Sequence, residues 1–362
     1  MRVDLTVVGP ELPLALGLVD ELQKRGLVAF GPNKLAAELE FSKAYSKTFM
    51  QKYRIPTAEA VACTTRDEAA AAVKRFGLPC VFKADGLAAG KGVVILSTDD
   101  EVKGALKLFF EDRVFGSAGD RVLVERFVDG DEVTFMVLCD GERAIPLATA
   151  KDYKRVFDGD LGPNTGGMGS HSPSVLLDAS MSRDVLTDVV HPTLKGMVEE
   201  GRPFRGVLFV GLILEEGFRP IVLEYNARFG DPETQSVLIR MEDDLVPYLL
   251  GSARGAFDPA LKPVWRKESA ACLVLTAGGY PGAYEKGKPI SGIEDAAAED
   301  GAIVTAGGRI LNVCARAPKL GDALRKARGA AAKIHFEGKH FRTDIGSRAL
   351  EVLLDRTSSG LS

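Results

Sequence analysis

The stretch Pro220-Ile221-Val222-Leu223-Glu224-Tyr225-Asn226-Ala227-Arg228-Phe229-Gly230-Asp231-Pro232-Glu233-Thr234-Gln235 decides how the chain is read. Its first half alternates as a strand does, with Ile221, Leu223 and Tyr225 on one face and Val222, Glu224 and Asn226 on the other. Glu224 and Asn226 therefore project together from one strand end. A carboxylate beside an amide oxygen is a pair of hard ligands, suited to Mg²⁺ when phosphate oxygens fill its remaining positions. The alternation then breaks, and Arg228, Asp231 and Glu233 crowd around Gly230 and Pro232 in a charged loop. Upstream, apolar residues 207–214, then Glu215-Glu216-Gly217, then 220–225 read as a hairpin that delivers the ligands. The competing reading of this stretch alone is a sheet edge with solvated charges.

Bulk properties frame that reading. With 362 residues the chain has room for two or three domains with substantial cores. Hydrophobic residues make up 46% and charged residues 27%, an ordinary soluble composition. The net charge of -4 and pI near 5.8 point away from nucleic acid and anionic membranes as partners. Five cysteines are scattered without a Cys-x-x-Cys pair and the four histidines form no His-Glu-x-x-His, which argues against zinc. Buried reduced thiols are the expectation. No signal peptide or bilayer-length apolar run is visible, so the sequence predicts a cytoplasmic protein.

Taken in order, residues 3–8 read as a buried strand ending in Gly9-Pro10-Glu11, followed by a helix over 14–25 and a strand over 28–30. This is a β-α-β fragment of a doubly wound sheet, too small for its own core. Either it docks on the rest or the chain lacks the first strands of that domain. A helical pattern over 38–53 carries Ser42-Lys43, and another helix runs from Thr65 to Gly77. A strand over 79–84 then enters Asp85-Gly86-Leu87-Ala88-Ala89-Gly90-Lys91-Gly92 and returns over 93–96. A Gly-rich turn between two strands is not a P-loop, and its spacing fails that pattern. Its N–H groups nonetheless suit phosphate, helped by Lys91.

Lys83, set in an apolar strand, needs a buried partner, and a nucleotide phosphate is a good one; an edge lysine reaching to solvent is the bland alternative. Glu125 and Glu132 stand on strand patterns beside apolar walls, where an acceptor suits an adenine amino group or a ribose hydroxyl. Each taken alone reads more readily as a solvated carboxylate. Residues 148–168 depart from regular structure and combine glycines with both charge signs, as functional or floppy loops do. A last segment carries strands at 270–275 and 308–315, Gly278-Gly279-Tyr280-Pro281-Gly282, and helices over 320–334 and 345–354.

Together these motifs resemble the ATP-grasp superfamily and, within it, the phosphoribosylamine–glycine ligases. The resemblance covers nearly the whole chain. Its strongest pieces are Lys83 to Gly92, Gly162-Pro163-Asn164-Thr165-Gly166-Gly167-Met168-Gly169, and Asn226 to Glu233. It implies an α/β protein (α+β lobes) with an ATP-grasp fold, an incomplete N-terminal doubly wound α/β domain and a small C-terminal α/β domain. The expected partition is 1–41 for the N-terminal remnant, 42–59 with 132–265 for the main lobe, 60–131 for the lid, and 266–362 for the C-terminal domain.

The implied activity is a carboxylate–amine ligation of glycine to 5-phosphoribosylamine through glycyl phosphate, with ATP and Mg²⁺ (or Mn²⁺). The resemblance assigns the nucleotide to Lys43, Lys83, Gly86, Ala89, Gly90, Lys91, Gly92, Glu125, Arg126, Phe127, Val128 and Glu132. Metal falls to Glu224 and Asn226, and catalysis to Arg228, Lys83, Asp152 and Lys154. The acid and amine fall to Asp152, Lys154, Arg155, Asn164, Thr165, Gly166, Gly167, Met168, Arg228, Asp231, Pro232 and Glu233. Partners are these small molecules, not nucleic acid or membrane, and a monomer or weak homodimer is expected.

Departures bear on the acceptor side. Family members carry a strand and a loop with Gly-Arg-Glu-His ahead of what is Met1 here, which predicts weaker 5-phosphoribosylamine binding more than weaker ATP binding. Residues 290–308 are shorter than usual, Phe41 replaces a glycine, and His171 stands where tyrosine is common. The alternatives are a ligase for another acid or amine, or a nucleotide-binding protein without turnover.

Overall fold

The computed structural model describes residues 3–86, 92–215, 220–297, 301–305 and 308–358. Three antiparallel sheets form its frame. The main-lobe sheet runs Pro220–Asn226, Arg205–Leu214, Asp131–Asp140, Ala144–Pro146. The lid sheet runs Ala60–Cys63, Val122–Arg126, Cys80–Ala84, Val93–Leu96. A third runs Gly301–Thr305, Arg309–Ala317, Ser269–Thr276, Gly169–Ser172, Lys151–Asp152. The last two strands of that sheet come from within the segment expected for the main lobe, so residues 266–362 do not build the C-terminal sheet alone. Ser170, His171 and Ser172 are wholly buried there, and that burial draws the segment across.

The first residues form a short parallel pair, Thr6–Val7 with Ala29–Phe30. Val8, Leu14 and Val19 share a core with Leu208, Val210 and Leu212 of the main sheet, so this segment docks on the main lobe. The helix expected over 14–25 is split into Glu11–Ala15 and Leu18–Lys24, because Gly17 takes a left-handed φ of 84° between them. The helix expected over 38–53 likewise breaks into Lys34–Phe41 and Lys43–Lys52. Ser42 accepts a hydrogen bond from the Tyr45 N–H and caps the second helix, which places Lys43 in its first turn.

The ligand strand also differs from simple alternation. Gly211 pairs with Glu224 and Leu212 with Val222, so Leu223 is an unpaired bulge. The bulge moves Val222 to the Tyr225 face, where both join the main core. It leaves Glu224 and Asn226 together on the face of Ile221. Gly211 makes room for this arrangement, since a Cβ there would lie 3.3 Å from Glu224 Cγ.

In the lid, helices Arg66–Phe76 and Asp99–Leu106 each begin with a threonine capping box, Thr65 with Glu68 and Thr98 with Glu101. The second of these helices passes into a wider turn at Lys107–Glu111. No helix among the described residues is long and apolar enough to cross a membrane. All five cysteines are buried and free.

Candidate active site

Lys83 projects from the Cys80–Ala84 strand with its side chain 8% exposed. Its ammonium lies 2.8 Å from Glu125 Oε2 and donates to the Leu223 carbonyl at 3.3 Å. The bulge is what frees that carbonyl from the ladder. The other Glu125 oxygen lies 3.2 Å from Lys47 Nζ, which also donates to Thr57 Oγ1 and the Ala58 carbonyl. Burial pushes Lys47 down to about 8, with Lys83 adding to the effect and Glu125 opposing it. Burial also works to raise the Glu125 carboxyl, but Lys83 and Lys47 outweigh it and hold the group below its ordinary range. The Glu125 side chain is therefore neither a solvated carboxylate nor an open acceptor for adenine. It pins Lys83.

Asp85 ties this strand to the helix that bears Lys43 and Lys47, accepting from Ser42 Oγ and the Ala44 N–H at 3.1 Å each. Gly86 has a φ of 152°, and a Cβ there would lie 2.9 Å from Ala118 Cβ. Ala89, Gly90 and Lys91 lie outside the described residues, as do residues 216–219. The Gly92 carbonyl closes the base of the hairpin by accepting from the Ala84 N–H. In the segment joining lid to main lobe, Arg126 is exposed, Phe127 half-buried and Val128 packed with Ala58, Ile213 and Ile221.

Across the cleft, Lys154 Nζ lies 2.9 Å from Glu132 Oε2 and 4.0 Å from Glu224 Oε1. The Lys154 charge holds Glu132 below its ordinary range. Burial works to raise Glu224, yet Lys154, Lys43, Lys83 and Arg228 together bring it down to about 2. Asp152 and Glu233 show the opposite balance. Burial raises both, Glu233 to about 8 with the Asp152 charge contributing, while Lys154 opposes the rise in each.

Arg228 lies with Nε 3.2 Å from Glu40 Oε1 and 3.4 Å from Glu11 Oε2, and its Nη2 reaches Asn226 Oδ1 at 3.4 Å. Glu40 in turn accepts from the Ala227 N–H. The donor set fits a hard divalent cation: an ionised Glu224 beside an Asn226 oxygen with only one long protein contact. Among the described residues no group of three or more His, Cys, Asp or Glu could hold a metal. The protein thus offers two ligands, the number Mg²⁺ takes when substrate phosphates supply others.

On the acceptor side, Thr165 donates through N–H and Oγ1 to the Lys154 carbonyl, at 2.7 and 2.8 Å. Arg155 donates to the Gly162 carbonyl, and Asn164 lines a cavity of ≈ 720 Å³ with Pro163, Tyr280 and Val93. Three residues expected to touch substrate also make bonds within the protein. Met168 is wholly buried, with its N–H bonded to the Tyr153 carbonyl. The Pro232 carbonyl accepts from Ser170 Oγ. Both Asp231 carboxylate oxygens are engaged, by Arg309, Gln235 and Asn312.

Residues 41–234 match the phosphoribosylglycinamide synthetase ATP-grasp (A) domain, 270–348 the C domain, and 1–40 the N domain of the same synthetase. This chain belongs to the phosphoribosylamine–glycine ligase family. It is 44% identical over 360 residues to such a ligase of Vibrio vulnificus, covering 96% of this chain and 84% of the relative. A Pseudomonas aeruginosa ligase is also 44% identical, over 361 residues and with the same coverage. Among solved structures, the Thermotoga maritima ligase superposes with a TM-score of 0.80 at 39% identity, covering 88% of this chain and 81% of that one. A biotin carboxylase domain from Hydrogenobacter thermophilus, solved with MgADP, shares the fold at TM-score 0.71 and 18% identity.

The Lys47–Glu125 and Arg228–Glu40 ion pairs were missed by sequence reading. Lys47 lies in the buried stripe of its helix with Ala44 and Met50, and Glu40 lies with Ala36, Ala37 and Leu39 in the preceding one. A charge inside a buried helical stripe was the available signal for both. Arg309 carried none.

Proposed function

We propose that this chain joins glycine to 5-phosphoribosylamine at the expense of ATP, giving glycinamide ribonucleotide, ADP and phosphate. The observation that carries this reading is the cluster of cations around the ligand strand: Lys154 Nζ lies 4.0 Å from Glu224 Oε1, Arg228 Nη2 3.4 Å from Asn226 Oδ1, and Lys83 Nζ 3.3 Å from the Leu223 carbonyl. Transfer of a phosphoryl group to a carboxylate requires positioning and charge neutralisation more than covalent help, and such a cluster supplies both. Lys43 and Lys83 neutralise the nucleotide's phosphate oxygens, with Lys83 pre-oriented by Glu125. Arg228, braced by Glu40 and Glu11, faces the transferring group. The glycine carboxylate oxygen forms the new bond to the γ-phosphorus as ADP leaves. The amine nitrogen then attacks the acyl carbon, loses a proton, and phosphate departs.

Glu224 and Asn226 would hold Mg²⁺ or Mn²⁺, which would supply charge neutralisation to the phosphates when bound. Asp152, Lys154 and the 164–167 backbone lie on the acid and amine side. The lid sheet would exclude water from glycyl phosphate. The test is ADP release by this chain with glycine and with 5-phosphoribosylamine generated in the assay. Release that requires both is expected; release that requires neither, or another acid, overturns the reading.

A further inference from the structure

We propose that Arg309, on the C-terminal sheet, is a positioning residue for the two loops on the acid and amine side; this rests on the ligase reading above. Arg309 Nη1 donates to the Gly166 carbonyl at 2.8 Å and to the Asp231 carbonyl at 2.5 Å, with a longer contact of 3.4 Å to the Gly167 carbonyl. Its Nη2 donates to Asp231 Oδ2 at 2.7 Å. One guanidinium therefore brackets the 162–169 loop to the 226–233 loop, while its own strand lies in a third element. The Arg309 side chain is 18% exposed and that of Asp231 39%.

The packing around the bracket leaves no slack. A Cβ on Gly166 would lie 3.2 Å from Arg309 Cζ, and one on Gly167, at φ 117°, would lie 2.4 Å from Pro232 Cδ. The two glycines are thus pressed flat between Arg309 and Pro232. Tyr280 adds a second tie from the C-terminal side, its hydroxyl accepting from the Gly166 N–H at 3.3 Å. Thr165 next door is bonded to the Lys154 carbonyl, so the position of the bracket passes to Lys154 and from there to Glu132 and Glu224. The contacts of Lys83, Lys47 and Glu125 lie outside this set. A planar fork reaches three carbonyls and a carboxylate from separate nitrogens held in one plane, whereas a lysine must serve every acceptor from a single ammonium.

The test is Arg309→Met, with Arg309→Lys and Asp231→Asn beside it, reading KM and kcat for glycine, 5-phosphoribosylamine and ATP. Arg309→Met is expected to raise KM for glycine or the amine about 10–100-fold, the worth of losing a charge-assisted bracket. Affinity for a non-hydrolysable ATP analogue should change less than about threefold on the same scale. Arg309→Lys should recover part of the loss through Asp231, and Asp231→Asn should show a weaker defect of the same selectivity. Amide exchange supplies a readout independent of turnover: residues 165–168 should exchange faster in Arg309→Met while 80–84 do not. Wild-type constants overturn the proposal, as does equal weakening of all three substrates. An unfolded Arg309→Met together with a kinetically normal Asp231→Asn also overturns it. A wild-type chain without two-substrate ADP release refutes the ligase reading instead, and the exchange measurement still decides the bracket.

Discussion

On the nucleotide side, Lys83 and Lys47 share one carboxylate at 2.8 and 3.2 Å, with all three side chains at most 8% exposed. On the acceptor side, Arg309 grips main-chain carbonyls of two loops, and the only carboxylate it meets, among the described residues, is Asp231. The first arrangement is carried on sheet strands and a helix, whose ladders and backbone bonds fix where each charge lies. The second fixes residues 165–168 and 227–232, which lie between the strands and helices rather than within them. Buried ion groups resist displacement because an uncompensated charge in low dielectric is costly. A guanidinium on carbonyls instead sets shape without demanding a particular loop sequence. On the function proposed above, chemistry would belong to the rigid side and acid and amine placement to the bracketed side.

The most damaging single change should therefore fall on the nucleotide side. Lys83→Met removes an ammonium that the proposed reaction sets against the nucleotide's phosphates, while Lys47 still neutralises Glu125, so the lid should fold. Glycine-dependent ADP formation in a single turnover is expected to fall about 10²–10³-fold, the scale seen when one preorganised electrostatic donor is lost. Measuring ATP-analogue affinity alongside separates chemistry from binding. A fall below tenfold would place the charge neutralisation on Lys43 and Arg228 instead.

The same contrast explains what the sequence made legible. Glu224, Asn226 and Lys83 stand out because each is a polar residue on a period-2 apolar pattern, and strands translate that pattern directly into space. The Leu223 bulge escaped because an unpaired residue leaves no mark on the pattern; only the partner register shows it. Ser42 did offer a local cap signal, but the apolar periodicity on either side of it read through as one helix. Arg309 was invisible for a different reason. Its bonds reach 143 residues back to Gly166 and 78 back to Asp231, and no local spacing encodes such a contact. The motifs Gly162–Gly169 and Asn226–Glu233 identified the loops, yet not that Met168, Pro232 and Asp231 serve the protein's own packing.

A pH experiment sharpens the acceptor side. Burial, with the Asp152 charge adding to it, raises Glu233 from an ordinary 4.5 to about 8. Between those values the folded chain keeps a proton that the unfolded chain has released. Stability from this group is thus present below the lower value and is lost as pH rises through the window to about 8. Glu233→Gln cannot ionise and escapes the loss. Thermal melts from pH 5 to 8.5 should show Tm of the wild type falling relative to the variant as pH rises. Parallel curves would mean that Glu233 is ionised in the folded chain and matched by Lys154.

The smallest effect tests whether the bracket centres on Arg309 or is shared along its strand. Asn312, also on Arg309–Ala317, donates to Asp231 Oδ1 at 3.3 Å, whereas Gln235 donates to the same oxygen at 2.6 Å. Removing the longer of two bonds to one acceptor leaves Asp231 satisfied, so Asn312→Ala should raise KM for glycine or the amine only about 2–3-fold, the low end for a hydrogen bond. Stability should change by about 1 kcal/mol or less, since the buried Asn312 Oδ1 has no partner of its own and its loss offsets part of the cavity left behind. The comparison with Arg309→Met decides the geometry. If Asn312→Ala matches or exceeds it, the 226–233 loop is held through the Asp231 carboxylate alone. If it is the weaker by tenfold, the carbonyls of Gly166 and Asp231 are the points at which the C-terminal sheet sets the acceptor side.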